Sequence, residues 1–296
     1  MKINKKLQNI SLIIISALAL CGFVVGSFLD QKITGKMGDF DNLFGILFTA
    51  LGPVLTLAFG VLAGSLLFFM PKIENKKWNL IFRAIGLAAV LGFTFAQIKE
   101  GLEYVEFPIM QTEKYTYMVL IIVLIALIDL TIFLFSRIWV KKIETNNLIK
   151  ICLIIISIII IYFVICEVIK YFASRPRPRV LEYGLHEFKH WYQWKPFAAF
   201  STEHKDCKSF VSGHTANAAC LITILPLVAS LPKKDNNNKI QIMTIIIGAL
   251  FTFVVAFSRI IAKAHWMTDV MGGIILSCGM QALVINVAPF IIKKVE

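Results

Sequence analysis

The chain has 296 residues, 58% of them hydrophobic and only 16% charged, with a formal net charge of +12. That balance excludes an ordinary water-soluble domain, whose surface needs far more charged and polar side chains. It also argues against a nucleic-acid-binding protein, because the basic residues accompany no recognised binding motif.

About 20 predominantly apolar residues cross the hydrocarbon layer of a bilayer. In chain order, stretches of this kind fall near residues 8–29, 43–70, 78–98, 117–140, 149–170, 212–232, 240–261 and 267–291. The first follows "MKINKK" and lacks a small-residue cleavage site, so it reads as a retained helix rather than a signal peptide. The fourth carries Asp129 near its middle, where a carboxylate is costly in lipid and should face the bundle interior or a partner. The fifth, within "LIKICLIIISIIIIYFVICEVI", is apolar all round and shows no barrel-strand alternation. The sixth is interrupted by Thr215 and Asn217. Since lipid offers no partner to an open strand edge, the sequence predicts an all-α polytopic membrane protein, a helical bundle of about eight transmembrane helices.

Lys and Arg in short loops favour the cytoplasmic side. "MKINKK", "PKIENKKW", "SRIWVKK", "LPKKDNNNK" and "IIKKVE" occupy every second connection, whereas "DQKITGKMGDFD" and "KEGLEYVEFPIMQTEKYT" are acidic or mixed. Both termini are therefore expected in the cytoplasm, and the basic loops should attract anionic headgroups. Residues 171–211 fall on the outer side by this parity yet are rich in Arg and Lys, so topology does not explain their charge. Cys21, Cys152, Cys166, Cys220 and Cys278 lie in spans and Cys207 in a loop, with no zinc spacing among them.

Three segments border that outer side. In "KYFASRPRPR", Lys170 ends the fifth span, and Arg177 follows between Pro176 and Pro178, which bias it toward an extended backbone. Lys170 or Arg175, taken alone, reads as a span-end cation that snorkels to the headgroups, and Glu167 can pair with Lys170 one turn away. In "CKSFVSGHTANAA", Ser212 and Gly213 suit a helix entrance, whose unpaired N–H groups favour an anion, with His214 at its mouth. In "FSRIIAKAHWMTD", Arg259 ends the seventh span beside Ser258. His265 and Asp269, four apart, share one helical face, where the carboxylate can accept a ring N–H. Cations, a helix entrance, two histidines and a carboxylate at one membrane surface describe a phosphate site with chemistry attached.

Together these segments resemble the signature of the type 2 phosphatidic acid phosphatase (PAP2) superfamily, which also includes vanadium haloperoxidases and glucose-6-phosphatase. The family pattern K-x6-R-P, P-S-G-H and S-R-x5-H-x3-D is met by Lys170 with Arg177 and Pro178, by Ser212, Gly213 and His214, and by Ser258, Arg259, His265 and Asp269. Val211 replaces the motif proline. The resemblance is to the membrane lipid phosphatase branch, whose members commonly have six spans, so two extra N-terminal helices are implied. It implies N-terminal transmembrane helices over 1–148 (about four spans) and a PAP2-like catalytic half over 149–296 (about four spans) with an active-site loop at 171–211.

By the same resemblance, His265 is the nucleophile and Asp269 orients it and stabilises its developing charge. His214 protonates the leaving alcohol and later helps activate water. Lys170, Arg177, Ser212, Gly213 and Arg259 hold the nonbridging oxygens, with no metal and no cofactor. The implied function is a metal-independent phosphatase of the cell membrane, acting on a lipid phosphate or diphosphate through a phosphohistidine at the extracytoplasmic face. Its partners are then the lipid phosphate substrate and the surrounding membrane lipids. The alternatives are a lipid phosphotransferase of the same superfamily and a non-catalytic phospholipid-binding protein or transporter. The presence of both histidines and Asp269 speaks against a dead enzyme, and only Asp129 sits mid-membrane, where a transporter places its charges. In "YGLHEFKHWYQWKPFAAF", Trp191, Tyr192, Trp194 and Phe197 form an interfacial belt or a lid that guides a lipid, and His186, His190 and His204 have no assigned role.

Overall fold

The computed structural model describes residues 3–39, 42–102, 114–184, 186–194, 207–231 and 237–292. Its α-helices, in chain order, are α1 (Lys5–Met37), α2 (Leu43–Phe69), α3 (Lys76–Leu102), α4 (Lys114–Trp139), α5 (Thr145–Ala173), α6 (Pro178–Glu182), α7 (Gly213–Ala219), α8 (Leu221–Ser230), α9 (Asn238–Ile261) and α10 (Met267–Ile292). Among the described residues every regular element is helical. Among the same residues eight segments are long and apolar enough to cross a membrane, the predicted number, with α7 and α8 together forming the sixth.

Helix starts follow local chemistry. Asn4, Asn42 and Asn237 accept backbone N–H groups at the starts of α1, α2 and α9, which satisfies donors that lipid and the helix itself leave orphaned. The apolar surfaces then sort by neighbour. In α4, Val119, Leu124, Leu127 and Leu134 are exposed, as expected of a helix that faces lipid. In α5, Ile151, Ile154, Ile155, Ile158 and Ile159 are buried, because this helix packs against α2, α7 and α10. The first helix lies along the last, α1 on α10, and α2 packs on α3, α4, α5, α7 and α9. Where α2 crosses α3, a Cβ on Gly64 would stand 2.7 Å from the Gly86 carbonyl, so glycine is what lets the backbones approach.

Some polar groups inside the bundle find partners on neighbouring helices. Asp129 is buried and accepts hydrogen bonds from Thr94 Oγ1 at 2.5 Å and Gln97 Nε2 at 3.1 Å, both on α3, so this carboxylate faces a partner as expected. The sixth span differs from a single helix: it breaks at Cys220 between α7 and α8. Pro226 lies inside α8 and has no N–H for the carbonyl of Ile222 one turn earlier. Gln8 of α1 supplies the missing donor, its Nε2 standing 3.0 Å from that carbonyl.

Candidate active site

Backbone hydrogen bonds draw the three signature segments together at one end of the bundle. Ser209 N–H donates to the Arg175 carbonyl at 3.0 Å, and Ser212 N–H to the Asp269 carbonyl at 3.0 Å. Arg179 N–H donates to the Lys263 carbonyl at 3.0 Å, and the Trp266 indole to the Pro176 carbonyl at 2.9 Å. Each pair of segments is thus tied directly. The peptide joining Phe210 to Val211, the residue in the motif-proline position, is cis.

Between these segments lies a cavity of about 150 Å³, lined by Lys170, Arg177, Gly213, His214 and His265 among others. Five predicted site residues therefore share one chamber. Ser212, Arg259 and Asp269 are buried and outside that lining. Ser212 caps α7, its hydroxyl accepting the Thr215 N–H. The Arg259 carbonyl accepts the His265 N–H at 3.2 Å, closing the turn that carries the histidine. Among the described residues no three His, Cys, Asp or Glu side chains converge as a ligand set.

Lys170 does not snorkel. It lines the cavity and pairs with Glu167 at 2.7 Å, the partner one turn away. Lys208, which the sequence reading left out, also lines the cavity and holds the other Glu167 oxygen at 3.2 Å. Arg175 does not snorkel either: it is 1% exposed and paired with Asp30 and Asp269. Arg175 and Arg177 nonetheless separate, one to the interior and one to the cavity, although residues two apart on a regularly extended backbone share a side, so local spacing gave no signal of it. Arg177 Nε is buried and makes no hydrogen bond among the described residues.

The histidine nucleophile predicted from sequence is 1% exposed. Its Nδ1 stands 2.7 Å from the Ser209 carbonyl and 3.7 Å from the Asp269 carboxylate. The expectation that Asp269 accepts the ring N–H is therefore corrected, because Ser209 does. The reason is that Asp269 is already engaged, by Arg175 Nη1 at 2.6 Å, the Trp266 N–H at 2.8 Å and the Ser209 hydroxyl. A backbone carbonyl can only accept, so Nδ1 carries the proton and Nε2 keeps its lone pair. Burial first, and then the cations Arg259, Arg177 and Lys170, push the His265 pKa well below the usual imidazole value, against the pull of the Ser209 carbonyl. A lowered pKa favours the neutral ring.

His214 Nε2 lies 3.5 Å from a carboxylate oxygen of Glu100, at the end of α3, a second neighbour that local spacing did not reveal. From the aromatic loop, Trp191 packs on Phe23 with ring centroids 4.9 Å apart, and its indole donates to Ser27 Oγ at 3.0 Å. Trp191 thus joins α1, while Tyr192 and Trp194 are exposed. His190 stacks on Tyr192, and His186 approaches Cys207. Phe197 and His204 lie outside the described residues.

Residues 148–293 match the sequence model of the PAP2 superfamily. Phosphatidylglycerophosphatase B of Bacillus subtilis (strain 168) is 38% identical over 72 residues, which cover 24% of this chain and 34% of that protein. The match thus spans about a third of the curated relative's length. No solved structure matches the chain. Through residues 148–293, which hold all three signature segments in the order and spacing of the pattern, the chain belongs to the PAP2 superfamily.

Proposed function

We propose that this chain is an integral membrane phosphatase that hydrolyses a lipid phosphate or lipid diphosphate through a phosphohistidine on His265, at the extracytoplasmic face of the cell membrane. One observation carries the reading. The cationic cavity adjoins an apolar one of about 410 Å³, and Leu57, Ala96, Tyr162 and Phe163 line both. A head that needs cations, joined to a tail that needs hydrocarbon, fits that pair. The name of the Bacillus subtilis relative points to a phospholipid bearing a terminal phosphate. The outward orientation is supported by the alternation of basic loops along the sequence.

In this mechanism the His265 Nε2 lone pair attacks phosphorus, and the bond from phosphorus to the lipid alcohol oxygen breaks. His214 gives that oxygen a proton. Water then attacks phosphorus, His214 takes its proton, the phosphorus–nitrogen bond breaks and inorganic phosphate leaves. Lys170, Arg177 and Arg259, with Ser212 and the Gly213 backbone, neutralise the nonbridging oxygens, where charge stabilisation contributes most to phosphoryl transfer. Asp269, beside the ring, stabilises the positive charge that His265 acquires. The chemistry belongs to residues 149–296, around which the helices of 1–148 pack.

Purified protein in detergent with EDTA is expected to release phosphate from short-chain phosphatidic acid, phosphatidylglycerol phosphate or a polyprenyl diphosphate. Because His265 must be neutral and its pKa is lowered, the acidic limb of the bell-shaped rate profile should lie below the ordinary imidazole value of about 6.5. A requirement for added divalent metal, or a rate flat across pH, would contradict the proposal.

Gly213 gives a sharper test of the phosphate cradle. A Cβ there would stand 2.9 Å from Lys170 Nζ, so Gly213→Ala must displace the ammonium, a flexible tip whose movement costs the fold little. Loss of one charge-assisted contact corresponds to a fall of roughly tenfold in kcat/KM, with an unchanged thermal unfolding midpoint. Wild-type kcat/KM in this variant would remove Lys170 from the cradle.

A further inference from the structure

The first helix reaches the reaction centre by a route that no signature segment contains. Asp30, near the outer end of α1, is 4% exposed. Its Oδ1 accepts the Thr268 N–H at 3.0 Å, and its Oδ2 accepts Thr268 Oγ1 at 2.5 Å and Arg175 Nη2 at 2.8 Å. Three donors around one carboxyl group favour its ionised form, which accepts without donating. On its other side Arg175 donates from Nη1 to Asp269 Oδ1 at 2.6 Å and to Thr268 Oγ1 at 2.6 Å, and from Nε to the Lys189 carbonyl at 2.7 Å. The rings of Phe188 and Trp266 lie 5.5 and 5.4 Å from the guanidinium carbon.

A buried carboxylate on a membrane helix is expensive, and neutrality does not call for this one, since Arg175 and Asp269 already form a complete pair. With Asp30 added, the cluster holds two carboxylates to one guanidinium and carries one net negative charge. That charge lies behind His265, at the Asp269 oxygen 3.7 Å from Nδ1. We propose that Asp30 is a positioning residue which acts through Arg175: by balancing the guanidinium it leaves the negative charge of Asp269 available beneath His265, where the ring becomes positive as it attacks phosphorus. The inference rests on the reading of His265 as the nucleophile.

Charged groups face His265 from every packed element. Lys170 of α5, Arg177 ahead of α6, His214 of α7 and Arg259 of α9 surround it, with Glu100, Glu167 and Lys208 elsewhere in the same cavity. Cations dominate the open side, and the anionic cluster on the closed side opposes them. Removing Asp30 tips that balance one way and removing Arg175 tips it the other.

The test measures kcat and KM against pH for the full chain in detergent, for wild type, Asp30→Asn, Arg175→Gln, the double variant and Asp30→Glu. Asp30→Asn leaves a neutral cluster, so the acidic limb moves to lower pH and kcat falls about tenfold, while KM changes little because the phosphate-holding groups are untouched. Arg175→Gln leaves two net negative charges and moves the limb to higher pH. The double variant restores one, and its limb returns to the wild-type position even where kcat stays low. Asp30→Glu keeps the charge and the wild-type limb. A purely structural Asp30 would lower the yield of folded protein and leave the limb in place. Should Asp30→Asn fail to fold, Arg175→Gln and the double variant read the same charge balance. Limbs that stay put in the single variants, or move in one direction in both, overturn the proposal. Failure of the underlying phosphatase reading is distinct: wild type releases no phosphate, or His265→Ala keeps its rate.

Discussion

Replacing His265 with alanine is expected to lower kcat by at least about 10⁴-fold, since removal of the nucleophile from a group of residues that act as a unit leaves only binding and charge stabilisation. Substrate affinity should survive, because Lys170, Arg177 and Gly213 line the cavity independently of the ring. Alanine also leaves the Ser209 carbonyl without the donor it holds at 2.7 Å, and an orphaned buried acceptor costs about 1–3 kcal/mol. His265→Gln, which can still offer an N–H to that carbonyl, separates the two effects: it should keep more stability than alanine and recover none of the turnover. Steady-state rates and thermal unfolding of both variants check this. A rate above about one hundredth of wild type in either would remove His265 from the covalent step.

His214→Ala carries the second large effect, and its size should depend on the leaving group. General acid catalysis contributes roughly 10²–10⁴-fold when the departing group is a poor one, and a lipid alcohol is poor. A nitrophenolate leaves without a proton, so the same variant should form the phosphoenzyme from an aryl phosphate at a near-normal rate. The second step then stalls, because water has lost its base, and a burst of nitrophenol precedes slow turnover. Equal losses with alkyl and aryl substrates, without a burst, would mean that His214 binds phosphate and moves no proton.

The spans were legible because a run of apolar residues long enough to cross lipid has few other uses, and apart from the C-terminal end of α1 the spans begin and end close to the predicted limits. The site was legible where order and spacing define it: Lys170, Arg177, Gly213, His214 and His265 line one cavity. Asp30 was hidden by a boundary. The first span was expected to end at residue 29, which put Asp30 in a loop, whereas α1 continues to Met37 and carries Asp30 inward against Thr268. That contact depends on how α1 lies along α10, which no local spacing specifies. Ser209 and Lys208 were passed over because the second motif was read from residue 212 onward. Arg175 was misread because a span-end rule considers one helix at a time, and its two carboxylate partners come from α1 and α10.

Passage of phosphate through His265 within this cavity can be seen by trapping the intermediate. His214→Ala protein, mixed with an aryl phosphate and quenched in alkali, in which phosphohistidine persists, is digested and mapped by mass spectrometry. One phosphoryl group is expected on the peptide containing His265, absent when His265 is also replaced. A phosphoryl group on any other residue, or turnover in wild type with no adduct trapped in the variant, would contradict it.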